Sequence, residues 1–423
     1  MKVGILGGGF TGLTLAYELL KKGYQISLFE AQPYWGGLVA SFEPLPGVFV
    51  ERFYHHLFTN DSEILSFLTE LGLNGELRVL DGKTSHYYKE KIYSLDSPSS
   101  VLRFAPLNVL DRLRFGFVTL FLKLWPWGEL WHGEKAYTWV QKWYGKRVSE
   151  VVWEPLLKGK FAGYYSEISM TWLWARIKKR TPKLVYPMGG FQTIINRLVG
   201  LLKVGGAKLK LESPIESLRL DKNGKWVVGR EGADEIFDKI VLTTSLRSIP
   251  KFLPNLKTEY LENIDSIEYI NALVVLLVLR RKLTPHYWIN IADTGFPFLV
   301  VGEQSNLFGL NYYQGRSLVY LGNYLPDGQA QLSLSAEELL DLYEPYLKKL
   351  NPDFDRSWVE KVYKFVGPFA QPIVDTKYRE RIPGFEIQGY PNLYLATMAQ
   401  VYPWDRGTNY AVKLAQDLAK KYF

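Results

Sequence analysis

The first residues whose types and spacing could do chemistry are Gly7, Gly9 and Gly12, in the order G-x-G-x-x-G, with a carboxylate, Glu30, about 20 residues further on. The chemistry is dinucleotide binding. The first glycine allows a tight turn, the second lets backbone approach a pyrophosphate, and the third lets a helix pack closely on a strand. Phe10 and Thr11 fall in the first helical turn, whose N–H groups face phosphate. Glu30 stands where an acid hydrogen-bonds an adenosine ribose, and its charge argues against a ribose 2′-phosphate.

The second group is the pair His55-His56, ahead of Asp61 in the stretch 49–61. Adjacent imidazoles can offer polar contacts to a bound ring, or pack as buried histidines without chemistry. Other machinery is missing from the sequence: there is no G-x-S-x-G, no G-x-x-x-x-G-K-[ST] and no H-E-x-x-H. Five histidines without a single cysteine also leave no metal site to expect, and exclude disulfides and a thiol nucleophile.

The elements that must hold the glycines are legible. Residues 3–6 are an apolar strand, and Leu13, Leu15, Ala16, Leu19 and Leu20 recur near helical period. Lys21-Lys22-Gly23 ends the helix with cations and a glycine, and a second strand, 25–29, leads to Glu30. A nicotinamide-binding domain would continue with another helix. Instead the chain gives Ala31-Gln32-Pro33-Tyr34-Trp35-Gly36-Gly37-Leu38, and a proline with two glycines cannot make that helix.

With that loop in view the sequence resembles the flavoprotein superfamily of amine oxidases, protoporphyrinogen oxidase, phytoene desaturases and, more distantly, UDP-galactopyranose mutase. The resemblance implies FAD as cofactor, with Glu30 at the ribose, Gly36-Gly37 passing the pyrophosphate and Ala31 among the cofactor-binding residues. Many members carry Arg directly after the glycine pair; this chain has Leu38. The resemblance also places the 49–61 segment close to the isoalloxazine ring, which makes His55 and His56 the catalytic candidates. It implies a Tyr-Pro-x-Gly-Gly element at 186–190 where the chain returns to the flavin domain, although by pattern alone these residues could equally be a turn. It further implies adenine contacts at Ile215, a strand completing the cofactor sheet up to Thr244, and a last strand, loop and helix at 393–422. There Met398, Asp405, Arg406, Gly407, Thr408 and Asn409 lie toward the flavin, with the helix start stabilising negative charge on the pyrimidine.

The implied fold class is α/β: a Rossmann-type FAD domain assembled from residues 1–80, 185–245 and 365–423, plus an α+β substrate domain from 81–184 and 246–364 with a helical first part. Local patterns agree in outline. Asp61 or Ser62 could cap a helix that carries Ile64, Leu65, Phe67, Leu68 and Leu71, and 85–95 reads as a β-ribbon. From 108 to 174 the pattern is helical and aromatic, suiting either a helix at a membrane interface or the core of a substrate domain. A strand is expected to run through Pro214 to Ile215, 267–279 reads as a buried strand, and 336–350 as a helix stopped by Asn351-Pro352.

With 47% hydrophobic and 22% charged residues the 423-residue chain can build sizeable cores. No apolar run reaches the roughly 20 residues of a membrane-spanning helix, and a strand beginning at Lys2 leaves no room for a signal peptide. A cytoplasmic protein, with peripheral contact at the inner membrane face as an option, is therefore expected. The net charge of +8, with clusters at 178–180 and 280–282, fits a solvated basic surface, acidic lipid headgroups or a phosphorylated substrate; nucleic acid is not expected as a partner. The functional expectation is an FAD-dependent oxidoreductase or desaturase acting on an apolar small molecule, of prenyl-lipid or porphyrin-like kind. A mutase-like isomerase working with reduced FAD and an amine oxidase are the alternatives. The sequence leaves substrate, electron acceptor and oligomeric state open.

Overall fold

The apolar strands expected around the glycine turn assemble into one parallel sheet in the computed structural model, which describes residues 1–254 and 256–423. Its order is Lys208–Lys210, Gln25–Phe29, Lys2–Leu6, Lys239–Leu242 and Leu393–Leu395, so distant parts of the chain supply neighbouring strands. Parallel strands are covered on both faces, which is why Val3, Ile5, Leu28, Val241 and Leu395 are all buried. The helices Phe10–Lys21, Phe191–Val204 and Thr408–Tyr422 share one core with this sheet through Leu13, Leu198 and Val412.

A second, seven-stranded sheet is built around Tyr269–Leu279, the long apolar run, which is buried along almost its whole length. It is flanked by Ser317–Leu325 and Val359–Pro372, both antiparallel to it. The order continues through Val300–Glu303 and Trp288–Ile291 to Thr84–Tyr88 and Lys91–Ser94, so the ribbon forms the sheet's far edge. The helix Ala336–Leu350 covers this sheet with Leu339, Leu340, Tyr343 and Leu347; its start carries a reciprocal cap in which Ser335 Oγ accepts from Glu338 N and Glu338 Oε2 accepts from Ser335 N. A separate three-stranded sheet pairs Lys183–Pro187 with Leu77–Asp81 on one side and Leu57–Phe58 on the other.

Between Pro98 and Lys179 the chain is helical, and its core is aromatic: Phe115, Trp139, Tyr144, Trp153, Phe161, Trp172 and Trp174 are buried together. The structure corrects two local expectations. The strand after Ala207 stops at Lys210 because Glu212 has φ +48, which no strand tolerates, and Ile215 lies beyond it in an irregular segment. Asp61 occupies the position before the helix Ser62–Glu70 but does not cap it; its Oδ2 accepts from Phe58 N at 2.8 Å instead.

Candidate functional site

The glycine turn is held from three sides. Gly7 takes φ +114 and donates its N–H to Phe29 O at 2.8 Å, while Thr243 Oγ1 donates to the carbonyl of Gly7 at 2.8 Å from the neighbouring strand. A Cβ at Gly12 would lie 2.0 Å from Gly7 O, so the helix can approach the strand only because this residue has no side chain. A Cβ at Gly9 would meet nothing within 4 Å, which leaves its backbone open for a ligand to approach.

Glu30 organises the same turn. Its Oε2 accepts from Gly8 N at 2.7 Å and its Oε1 from Gln32 N at 2.9 Å, which leaves each oxygen further lone pairs. The following loop folds back: Gly36 N donates to Gly8 O at 2.8 Å, and Gly37, at φ +59, lies so close that its Cβ would be 3.2 Å from Gly9 Cα. Ala31 is exposed, and Ile215 is half-buried in the segment that bonds to Glu30 O through Ser213 N at 2.9 Å. Thr244 accepts from Ser248 Oγ at 2.8 Å. The 186–191 element is a turn into a helix: Glu51, buried, accepts from Tyr186 Oη at 2.6 Å and from Phe191 N at 2.7 Å, and burial pushes its carboxyl up to about 7 against those bonds.

At the other end of the chain, Gly407 precedes the helix Thr408–Tyr422 with extended backbone, and the N–H groups of Tyr410 and Ala411 both bond to its carbonyl. Thr408 and Asn409 are buried, and Met398 is half-buried before them. The Asn409 side chain is committed to another helix: Oδ1 accepts from Ile64 N at 3.0 Å and Nδ2 donates to Glu63 at 2.8 Å. Only its backbone remains available to a ligand.

This helix start opens on a cavity of about 260 Å³ that also receives His55, His56, Lys160, Arg176, Arg180, Asp405 and Arg406. A smaller one adjoins it, walled by Leu38, Phe53 and Tyr324. The two histidines are tied differently. His55 Nδ1 lies 2.6 Å from Phe53 O and therefore donates, whereas His56 Nδ1 lies 3.3 Å from Tyr287 Oη. Burial, with nearby arginines adding to it, lowers His55 to about 4 and His56 to about 3, so both rings are neutral near pH 7. Asp405 is clamped by Lys160 and Arg176, with Trp172 Nε1 donating at 3.4 Å; burial alone would raise it, but those cations hold it well below the usual carboxylate range. Lys160 itself is drawn down to about 7, mainly by burial and further by Arg176 and Arg406, against the pull of Asp405. Arg406 donates to Gln371 Oε1 and to Tyr324 Oη, both at 2.9 Å. Among the described residues Arg180 has no carboxylate partner, and burial beside Arg176 lowers it to about 10.

A tight glycine turn with open backbone and a cavity at the start of the last helix thus stand on one chain. Residues 10–403 match the sequence pattern of the flavin-containing amine oxidoreductases. The chain belongs to that family. A zeta-carotene desaturase of Zea mays is 34% identical to this chain over 79 residues, 19% of this chain and only 14% of the relative's length. Solved structures are similar over nearly the whole fold. A provisionally named protoporphyrinogen oxidase from Exiguobacterium sp. 255-15 superposes with TM-score 0.78 at 17% identity, covering 99% of this chain and 98% of the other. Reduced UDP-galactopyranose mutase gives TM-score 0.76 at 15% identity, covering 99% and 94%. At such identities the likeness concerns the fold.

Several residues of the cavity carry no motif. Lys160 sits in Lys158-Gly159-Lys160, and Arg180 ends a basic run that reads as a solvated surface; the structure turns Arg180 toward the histidines instead. Arg180 follows the buried, aromatic-rich stretch 170–177, but nothing in the basic run itself tells which of its residues faces inward. Thr243 and Tyr324 could not be found from sequence, because their roles depend on strands far from the residues they hold.

Proposed function

We propose that the protein is an FAD-dependent oxidoreductase whose substrate has an apolar body and an acidic group. The observation that carries this reading is the composition of the cavity wall: Leu156, Ile291, Leu299 and Val300 on one part, and Lys160, Arg176, Lys179, Arg180 and Arg406 against Asp61 and Asp405 on another. An apolar wall alone would suit a hydrocarbon. An excess of buried cation is costly unless a ligand brings the opposite charge. The named zeta-carotene desaturase supports the apolar part of the reading, over a short stretch only.

The residues present fit FAD. Gly9, open to space, and Gly37 beside it leave room for backbone to approach a pyrophosphate, with Phe10, Thr11 and Gly12 opening the helix. Glu30 keeps acceptor capacity for a ribose, and the N–H groups at Thr408 and Asn409 offer a positive helix end for a ring that gains charge. Bound FAD supplies a two-electron acceptor for a hydride. The chain's own part is placement and proton handling. Tyr54, His55 and His56 form a neutral wall against which the substrate is oriented, Arg180 and Lys179 hold its acidic end, and Lys160 takes up the released proton at Nζ.

The test is anaerobic mixing of the purified flavoprotein with porphyrinogen-like or prenyl acids, with neutral prenyl lipids and with diamines. Bleaching of the visible flavin band by the acids alone is expected; bleaching only by a diamine overturns the reading. The same cationic wall also fits a nucleoside diphosphate, which favours a mutase-like isomerase as the second reading. Turnover of a sugar nucleotide only after prior flavin reduction, with no net electron transfer, would decide for it.

A further inference from the structure

The helix Val109–Leu124 is apolar on two opposite faces, and only one of them is covered. Phe115, Val118 and Leu122 point into the aromatic core. Val109, Leu110, Leu113, Phe117, Leu120 and Leu124 point outward, with Leu110 77%, Phe117 74% and Leu124 71% exposed. At about 100° per residue the exposed set falls within an arc of roughly 120°, and no charged residue of the helix lies in that arc. The strip is about 24 Å long. The next turn extends it with Trp127 and Leu130, 60% and 73% exposed.

Cations rim the strip. Arg112 and Lys123 project on one side of it and Arg114 on the other, and each of the three donates to backbone carbonyls rather than to a carboxylate: Arg112 to Leu107 O, Arg114 to Lys142 O, Lys123 to Arg180 O. Between residues 102 and 147 eight lysines and arginines face three acids, so the region is basic as a whole. Among the described residues no helix is long and apolar enough to cross a bilayer, so this surface can lie on a membrane but not span it.

We propose that the exposed face of Val109–Leu124, with Trp127 and Leu130, lies flat on a lipid surface bearing anionic headgroups. The outward leucines and phenylalanine enter the acyl boundary, Trp127 sits at headgroup level, and the rim cations meet lipid phosphates. A second copy of the chain fits this face poorly, because a two-fold contact would set the same basic rim against itself. The face also adjoins the cavity: Lys123 Nζ is 2.7 Å from the carbonyl of Arg180, whose residue lines it. A substrate carried in the lipid layer would then reach the site without crossing bulk water. The docking surface stands on these observations alone and does not depend on the substrate reading.

Flotation of the purified flavoprotein with phosphatidylcholine vesicles, with and without phosphatidylglycerol, tests this. The protein is expected to float with the anionic vesicles, less so in high salt, and the triple variant Leu110→Glu, Phe117→Glu, Leu124→Glu to lose at least about tenfold in partitioning. Its flavin content and melting temperature should match the parent, since all three side chains are exposed. If the triple variant folds poorly, Trp127→Ser with Leu130→Ser on the neighbouring turn is expected to give a smaller loss of the same kind. Absence of vesicle binding by the parent overturns the proposal, as does equal flotation of folded variants. A parent that is a dimer in solution, turned monomeric by the substitutions without binding vesicles, overturns it in favour of contact between copies.

Discussion

Lys160 Nζ lies 3.0 and 2.9 Å from the two carboxylate oxygens of Asp405, joining the helical part of the chain to the loop that precedes the last helix. Arg176 binds the same carboxylate, so one acid neutralises two cations where two chain segments meet. Asp405→Asn would leave both cations unpaired, and a loss of about 3–5 kcal/mol is expected for breaking a buried pair from one side. Chemical denaturation of the variant beside Lys160→Met, which leaves Arg176 still paired, checks this; the single loss of Asp405 should be the larger.

The same lysine sets a pH dependence. Its pKa in the fold is about 7, below the ordinary lysine value, so between those two values the unfolded chain binds more protons than the native one. Stability from this group therefore rises with pH across that window, and its cost is fully present below pH 7. Melting temperature against pH should lose that component in Lys160→Met. If Lys160 also takes the substrate proton, the rate of flavin reduction should rise through about pH 7 in the parent and flatten in the variant.

Two glycines separate folding from cofactor retention. A methyl at Gly12 would stand 2.0 Å from Gly7 O, and Gly12→Ala is expected to destabilise the apoprotein by about 1–3 kcal/mol or more as well as to empty it of FAD. A methyl at Gly9 meets no protein atom within 4 Å. Gly9→Ala should therefore keep the apoprotein's melting temperature while lowering the flavin-to-protein absorbance ratio. Equal flavin content in Gly9→Ala would remove the pyrophosphate from that place.

How much of this was legible follows from where each contact lies in the chain. The glycine turn, Glu30 and the Gly36-Gly37 loop fall within a single supersecondary unit, so spacing and turn chemistry were enough. The helix Ala336–Leu350 was equally clear, because its cap and stop are local. Alternation continues through Ile215 and reads as a strand, whereas the left-handed backbone at Glu212 that ends the strand has no signature in a non-glycine residue. The cavity was illegible for a different reason. Lys160, Arg176 and Asp405 meet only through packing of distant helices and loops, and a basic run looks the same whether its last residue faces water or a ligand. The outward face of Val109–Leu124 shows the same limit: its periodicity is that of a core helix, and only the structure distinguishes the covered arc from the bare one.

Arg180 gives a prediction with an unusual sign. A guanidinium in the cavity wall without a carboxylate partner burdens the apoprotein, so Arg180→Met should raise the melting temperature of the ligand-free protein, by about 1 kcal/mol of stability. The same change should weaken binding of an acidic substrate, seen as a higher KM with kcat little altered. A fall in kcat alone would assign Arg180 to the chemistry rather than to holding the substrate's acidic end.

The histidines supply the last prediction. Burial brings His55 to about 4 and His56 to about 3, so each is uncharged where free histidine titrates. The native state binds fewer protons than the unfolded one below the ordinary histidine value, so stability is lost as pH falls through that value and continues to fall toward the depressed ones. Neither the flavin spectrum nor the rate of flavin reduction should show a histidine inflection above pH about 5. His56 keeps a hydrogen bond to Tyr287 Oη at 3.3 Å, so Tyr287→Phe frees the ring to turn without changing its charge. If His56 orients the substrate, Tyr287→Phe should slow flavin reduction several-fold at saturating substrate, with the pH profile unchanged in shape. A rate equal to the parent's would make the pair a packing feature of the cavity wall, and a new inflection near the free histidine value would mean that the tyrosine, rather than burial, keeps the ring neutral.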